Sequence, residues 1–310
     1  MAGDTAGIAY GGKGKMRDLA QDKVMYAIFN TLLIAFGLCV LYPCVYVVSA
    51  SFSSAPDVSS GRVVLWPVNF SLAGYEMVFS HKLVLRSYLN TFFYTAAGTL
   101  INLVMTIFAA YPLTRKELPF RNVFMFLFML TMFFSGGLIP TYFLMNSLGL
   151  VNTIWIMILP TFSVGNMILM RTNFMTVPSE LFDAAEIDGC SYWQYLVRVL
   201  LPLSKAVLAV ITLSYAVGYW NSYFGALIYL KDRDLYPLQL VLRDILNMAK
   251  NKFSMSDINT QRADDLAKLQ GMVDLIKYSL IVVATAPILA LYPFIQKYFV
   301  KGIMIGSLKG

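Results

Sequence analysis

The chain has 310 residues, of which 58% are hydrophobic, 15% aromatic and only 13% charged, with a formal net charge of +7. Soluble domains are about a quarter charged, so half that share excludes an ordinary soluble protein and indicates one lipid-embedded bundle of helices. The positive balance does not indicate nucleic acid, because Lys and Arg are spread through the connecting segments as topology signals require.

In chain order, residues 1–22 read as a flexible cytoplasmic tail. Its Gly7-Ile-Ala-Tyr-Gly-Gly12-Lys13-Gly14 nearly matches a phosphate-cradling loop, but Gly14 stands where the magnesium-ligating hydroxyl belongs and no strand precedes it. A span needs about 20 mostly apolar residues. The first is expected at 24–52, uncharged, following Lys13, Lys15, Arg17 and Lys23; it is too long for a signal peptide and reads as a retained anchor. A polar loop, 54–87, leads to the second span at 88–113. The basic turn Arg115-Lys-Glu-Leu-Pro-Phe-Arg121 precedes the third, 122–144, which Ser135-Gly-Gly-Leu-Ile-Pro140 interrupts. The fourth is expected at 153–170 with Pro160 inside it, the fifth at 206–230, and the sixth at 278–295, beginning after Asp274 and Lys277 so that neither charge lies in lipid. Between the last two, 231–277 reads as a long polar extracytoplasmic loop. Three cysteines (Cys39, Cys44, Cys190) and one histidine (His81) form neither a disulfide framework nor a His/Cys metal site.

Six spans place both termini on one side of the membrane. The segments on that side carry Lys13, Lys15, Arg17, Lys23, Arg115, Lys116, Arg121, Arg171, Arg198, Lys205, Lys297, Lys301 and Lys309, whereas the short opposite turn 145–152 carries no basic residue. The positive-inside rule makes both termini cytoplasmic.

The stretch between the fourth and fifth spans, 178–202, holds Glu180, Asp183, Glu186 and Asp188 within nine residues and must lie in water or against a partner. Pro178 suits the first turn of a helix. Leu181, Ala184 and Ala185 form a narrow apolar stripe, and Gly189 supplies a left-handed stop. Ser191-x-x-Gln194 is a capping box that starts a second helix, and Pro202 marks the next bend. Interfacial helices that lie on lipid carry Lys and Arg on their polar face; this one is acidic, so docking to a protein is expected.

Asp183-Ala184-Ala185, Gly189 after three intervening residues, and Val199-Leu200-Leu201-Pro202 resemble the E-A-A-x3-G-x9-I-x-L-P signature of ABC importer permeases, with Asp183 for the first Glu and Val199 for Ile. The Ile-Asp-Gly run and the preceding Pro-x-Glu-Leu are similar to the oligosaccharide-type members, in particular the second permease of the maltose importer. The resemblance covers residues 23–310 and implies an all-α polytopic membrane protein of the type I ABC importer fold, six transmembrane helices with a cytoplasmic coupling helix between the fourth and fifth. It implies that Glu180, Asp183, Ala184, Ala185, Glu186, Asp188, Gly189 and Pro202 form the element that meets the ATPase. It also implies a second ATPase contact through Gly306, Lys309 and Gly310 in the tail 303–310, and a binding-protein contact through loop 231–277.

The implied partners are a second, homologous permease (a heterodimer), two cytoplasmic ATPases that carry ATP and magnesium, an extracytoplasmic substrate-binding protein, an oligosaccharide and membrane lipid. No catalytic residue, cofactor or metal is expected on this chain. Ser135-Gly-Gly-Leu-Ile-Pro-Thr-Tyr142, Leu148-Gly-Leu-Val-Asn-Thr153 and Val300-Lys-Gly-Ile-Met-Ile-Gly306 are similar to a subgroup handling complex, sometimes acidic, oligosaccharides. Tyr215, Tyr219, Trp220, Asn221 and Tyr223 are the most sugar-like constellation in the spans, although tyrosine and tryptophan also build interfacial belts. The rival class, an autonomous carrier or channel, generally places ionisable groups inside its spans, and here the acids collect in one cytoplasmic segment.

Overall fold

The computed structural model describes residues 20–159, 162–259 and 270–290, and the regular structure among them is helical. In chain order the helices are α1 (Ala20–Ser51), α2 (Ala55–Ser59), α3 (Ala73–Phe79), α4 (Val84–Ala110), α5 (Arg121–Phe133), α6 (Leu138–Ser147), α7 (Val164–Met175), α8 (Glu180–Ile187), α9 (Tyr192–Tyr195), α10 (Leu201–Leu203), α11 (Lys205–Trp220), α12 (Phe224–Tyr229) and α13 (Leu238–Asn259). A last helix, α14, covers Gln270–Ala290.

The organising element is α4. Its buried positions are Val84, Ser87, Thr91, Tyr94, Gly98, Thr99, Asn102, Thr106 and Ala110, a stripe at three- and four-residue spacing made mostly of small or polar side chains. Its large apolar residues, including Leu85, Leu89, Phe92, Phe93, Leu100 and Phe108, point outward. This inverts the amphipathicity of a soluble helix and follows from the solvent: lipid accepts leucine and phenylalanine, whereas helix contacts at membrane depth favour small residues and internal hydrogen bonds. One core joins α4, α7, α9 and α11 through Ala110, Met167, Met170, Phe174, Tyr195, Ile211 and Tyr215. Another joins α3, α4, α13 and α14 through Val78, Val84, Leu238, Val241, Ile245, Ile276 and Leu280.

Among the described residues three helices are long and apolar enough to cross a membrane: Lys23–Ser51, Val84–Thr114 and Gln270–Ala290. Two bent pairs raise the number to five, α5 with α6 at 117° and Tyr192–Leu203 with α11 at 84°. The break between α5 and α6 falls at Phe134–Gly137, inside the expected glycine-rich interruption. The fourth expected span is not one continuous helix. A single 3-10 stretch, Ile154–Met157, is followed after Pro160 by α7, whose 12 residues extend about 18 Å. Proline has no N–H to donate and disfavours helix in the residue before it.

Two further readings are refined. The helix at the sixth expected span is already formed at Gln270, so Asp274 and Lys277 belong to it. Residues 231–277 are also more than a polar connector: α13 occupies much of the segment and buries Leu238, Leu240, Val241, Leu242 and Ile245. The segment before α13 is tied along α4 by polar side chains. Asn90 Nδ2 donates to the Asp234 carbonyl (2.7 Å), Tyr94 Oη donates to the Leu235 carbonyl (2.9 Å), and Thr91 Oγ1 accepts the Leu238 N–H (2.7 Å).

By contrast α1 is apolar on all sides, with Leu32, Leu33, Ile34, Phe36 and Leu38 exposed, and among the described residues its contacts lie near its end, where Ser49 Oγ donates to the Leu65 carbonyl (2.6 Å) and Tyr46 meets Tyr278. A helix hydrophobic all round belongs in lipid or against another apolar surface.

Candidate functional site

The acidic segment folds as two short helices around a left-handed turn. Gly189 has φ +74°, and its N–H bonds to the Glu186 carbonyl at 3.0 Å. An added β-carbon there would have nothing within 4 Å, so only the backbone conformation selects glycine. The capping box forms in both directions. The Gln194 N–H donates to Ser191 Oγ (3.2 Å), and the Ser191 N–H donates to Gln194 Oε1 (2.9 Å). After α9 the backbone passes through a π turn, Leu196–Leu200, in which the Leu201 N–H reaches the Leu196 carbonyl. Pro202, which has no N–H to continue the ladder, stands exposed in α10 just ahead of the bend into α11.

The apolar stripe of α8 divides differently from the expectation. Ala185 is buried and Phe182 turns inward with it, whereas Leu181 and Ala184 face out. Ile187 joins the outward face and is 86% exposed. Glu180, Asp183, Glu186 and Asp188 are exposed around this face, and no ion pair among the described residues engages them.

Behind α8 lies a group that the sequence offered only as a topology charge. The Arg115 guanidinium carbon is 3.8 Å from the centre of the Phe182 ring and 5.0, 5.2 and 5.5 Å from those of Tyr111, Tyr195 and Tyr192. Arg115 Nη2 donates to Tyr111 Oη (2.7 Å), and that hydroxyl donates to the Tyr192 carbonyl (3.1 Å). Phe182 in turn stacks on Tyr192 and meets the edge of Tyr195. The basic residue after a span was visible in the sequence; its convergence with Tyr111, Phe182, Tyr192 and Tyr195 required the fold.

The five aromatic and amide residues read as sugar-like separate into two groups. Tyr215, Tyr219 and Trp220 are buried. Tyr219 Oη donates to the Ile158 carbonyl (2.5 Å) and accepts from Asn102 Nδ2 (2.5 Å), while Tyr215 Oη accepts the Ser163 N–H (3.1 Å) and bonds Thr106 Oγ1 (2.8 Å). These hydroxyls satisfy backbone groups on either side of the break before α7, which lipid could not satisfy. Trp220 Nε1 donates to the Ala284 carbonyl of α14 (2.8 Å). Asn221 and Tyr223 remain exposed; Asn221 Nδ2 bonds the Val217 carbonyl (3.0 Å), and the Arg243 guanidinium lies 5.2 Å from the Tyr223 ring centre. Gly306, Lys309 and Gly310 lie outside the described residues.

Comparison with known proteins places this architecture. Residues 78–305 match the family model of the binding-protein-dependent transport system inner membrane component. The polygalacturonan/rhamnogalacturonan transport system permease protein YtcP of Bacillus subtilis is 38% identical over 95% of this chain and 100% of its own length. Protein LplC of Bacillus subtilis is 40% identical over 88% of this chain and 91% of its own. A crystal structure of a bacterial ABC transporter involved in the import of the acidic polysaccharide alginate contains a chain that superposes with a TM-score of 0.77 at 33% identity, covering 91% of this chain and 98% of that one. With a membrane-adapted helical fold, the acidic helix–glycine–helix segment and these full-length likenesses together, the chain belongs to the binding-protein-dependent transport system inner membrane components, the permease subunits of ABC importers.

Proposed function

We propose that this chain forms one half of the translocation pore of an ATP-driven importer for an oligosaccharide released from an acidic polysaccharide, with α8 as its coupling helix. The observation that carries the coupling role is the outward face of α8, where Ile187 (86% exposed), Leu181 and Ala184 are ringed by carboxylates with no ion-pair partner among the described residues. Together these apolar side chains form an exposed patch rimmed by polar groups, the pattern of a protein contact, and the acidic rim argues against an anionic lipid surface. The substrate class is supported by the polygalacturonan/rhamnogalacturonan and alginate named for the similar proteins.

In this reading the chain has six spans in the bacterial inner membrane with both termini cytoplasmic, and it pairs with a second, homologous permease. Two cytoplasmic ATPases hold ATP and magnesium and perform all hydrolysis, and an extracytoplasmic binding protein delivers the sugar; this chain carries no cofactor of its own. Asn221 and Tyr223, the exposed members of the sugar-like group, are the residues assigned to the substrate path. Gly306, Lys309 and Gly310 add a second ATPase contact, which deletion of residues 303–310 tests: unchanged ATPase recovery would remove it from the reading.

The central test is co-purification. The native chain retains a P-loop ATPase, and Ile187→Glu, whose side chain points away from the chain's own core, releases it without loss of the permease from the membrane. Ion-driven flux by the purified chain alone, with ATPase recovery indifferent to Ile187→Glu, would instead establish an autonomous carrier.

A further inference from the structure

We infer that Arg115 is the positioning residue that makes α8 and α4 move as one body, so that displacement of the coupling helix reaches the membrane core through a caged cation. This rests on the coupling role proposed for α8.

The connection has two fixed ends. On the α4 side, Arg115 follows the helix by one short turn, Pro112–Thr114, whose Leu113 carbonyl accepts Arg171 Nε of α7 at 3.0 Å and whose Thr114 Oγ1 bonds the Tyr111 carbonyl at 2.6 Å. The guanidinium is therefore anchored to the end of α4. On the other side it lies on the Phe182 ring of α8 at 3.8 Å and beside Tyr192 and Tyr195 of α9. Arg115 Nε is buried without a hydrogen-bond partner, and no ion pair among the described residues links Arg115 to Asp183 or Glu186, although both carboxylates line the same cleft of about 450 Å³. Ring faces rather than carboxylates hold this cation. That choice leaves the acids outside for a partner while the plane of the guanidinium fixes the spacing between α8 and α4, which a flexible lysine would not.

From α4 the path into the membrane is direct. Thr106 bonds Tyr215 of α11, and Asn102 bonds Tyr219. Covalently, α8 reaches α11 only through α9, the π turn and an 84° bend. The cage bypasses that compliant route.

The test uses the assembled importer in detergent or nanodiscs, with Cys39, Cys44 and Cys190 replaced by serine and spin labels at Leu100→Cys on α4 and Ser179→Cys ahead of α8. Distances are measured without nucleotide and after trapping with MgATP and vanadate. The native pair gives one distance in both states. Arg115→Gln and Phe182→Leu give a distance that shifts or broadens on trapping while the ATPase subunits stay bound, and Phe182→Tyr, which keeps the ring face, restores the native result. A native distance that shifts on trapping, an unchanged distance in Arg115→Gln, or loss of the ATPase subunits from Arg115→Gln would each overturn the assignment. Failure of the coupling role itself reads differently: ATPase recovery would then be indifferent to Ile187→Glu.

Discussion

The ring of Tyr219 fills the space that a β-carbon on Gly98 would occupy, so this side chain of α11 packs directly against the backbone of α4. From there the Tyr219 hydroxyl reaches across to the Ile158 carbonyl at the break before α7. Gly98→Ala must push the ring away and break the Tyr219–Ile158 bond, at a cost of about 2 kcal/mol or more. Tyr219→Phe keeps the ring and removes only the hydroxyl, with its bonds to Ile158 and Asn102, for a loss of about 1–2 kcal/mol. The thermal midpoint of the purified protein should therefore fall further in Gly98→Ala than in Tyr219→Phe; the reverse order would contradict the packing described.

Gly189 separates folding from coupling. With φ +74° and open space around a β-carbon, Gly189→Val carries a backbone strain of about 1–2 kcal/mol and no clash within the chain. Gly189→Asn, which visits this region more readily, should be milder. Both variants are expected in the membrane at normal levels, with recovery of the ATPase reduced more by valine than by asparagine. Equal, undiminished recovery in both would remove Gly189 from the docking element.

Between α6 and α7, Asn152 staples two connections. Its Oδ1 accepts the N–H groups of Lys231 and Asp232, each at 2.8 Å, and its φ is +60°. Asn152→Gly keeps the backbone conformation and loses both bonds, which should lower stability by about 1–2 kcal/mol. Asn152→Asp keeps the acceptor and the tolerated φ and should stay close to the native midpoint. Thermal unfolding of the two variants side by side distinguishes the hydrogen bonds from the turn itself.

The loop after α1 carries a pH dependence. Asp57 is buried and accepts from Ser54 Oγ (2.6 Å), Asn69 Nδ2 (2.7 Å) and, more weakly, Arg62 Nη1 (3.4 Å), and these donors hold its carboxyl below the usual carboxylate range, Ser54 and Asn69 first. A carboxylate depressed on folding contributes stability that is fully present above its unfolded pKa of about 3.9 and is lost as pH falls through the lower folded value. The Ser71 N–H, which bonds the Phe52 carbonyl at 2.9 Å, should lose protection from hydrogen exchange below about pH 4 beyond the intrinsic effect of pH. Asp57→Asn should abolish that extra dependence.

Much of the acidic segment 178–202 was legible before any fold was known. Gly189, Ser191 and Gln194 act within a few residues of themselves, so φ, cap and turn follow from local chemistry, and the structure forms each of them. The outward face of α8 was half legible. Which of Leu181, Ala184 and Ala185 turns inward depends on where Arg115 and Tyr195 stand, and neither is a neighbour in sequence. The sugar-like residues were the least legible. Tyrosine and tryptophan at membrane depth serve either a solute or an unsatisfied carbonyl, and only the position of Ile158, Ser163 and Ala284 assigned Tyr219, Tyr215 and Trp220 to the carbonyls.

Composition and spacing by themselves determined the class: too little charge for water, long apolar runs, and one acidic helix with a glycine stop that lipid cannot hold. These are statements about solvent and local backbone, and they need no partner to be true. The tertiary structure alone decided that the fourth span is broken, that the 231–277 segment builds a helix onto α4, and that Arg115 sits within four rings. Each depends on groups distant in sequence meeting at a few ångströms. Such distances decide whether a hydroxyl is a ligand or a brace and whether a cation marks topology or joins two helices.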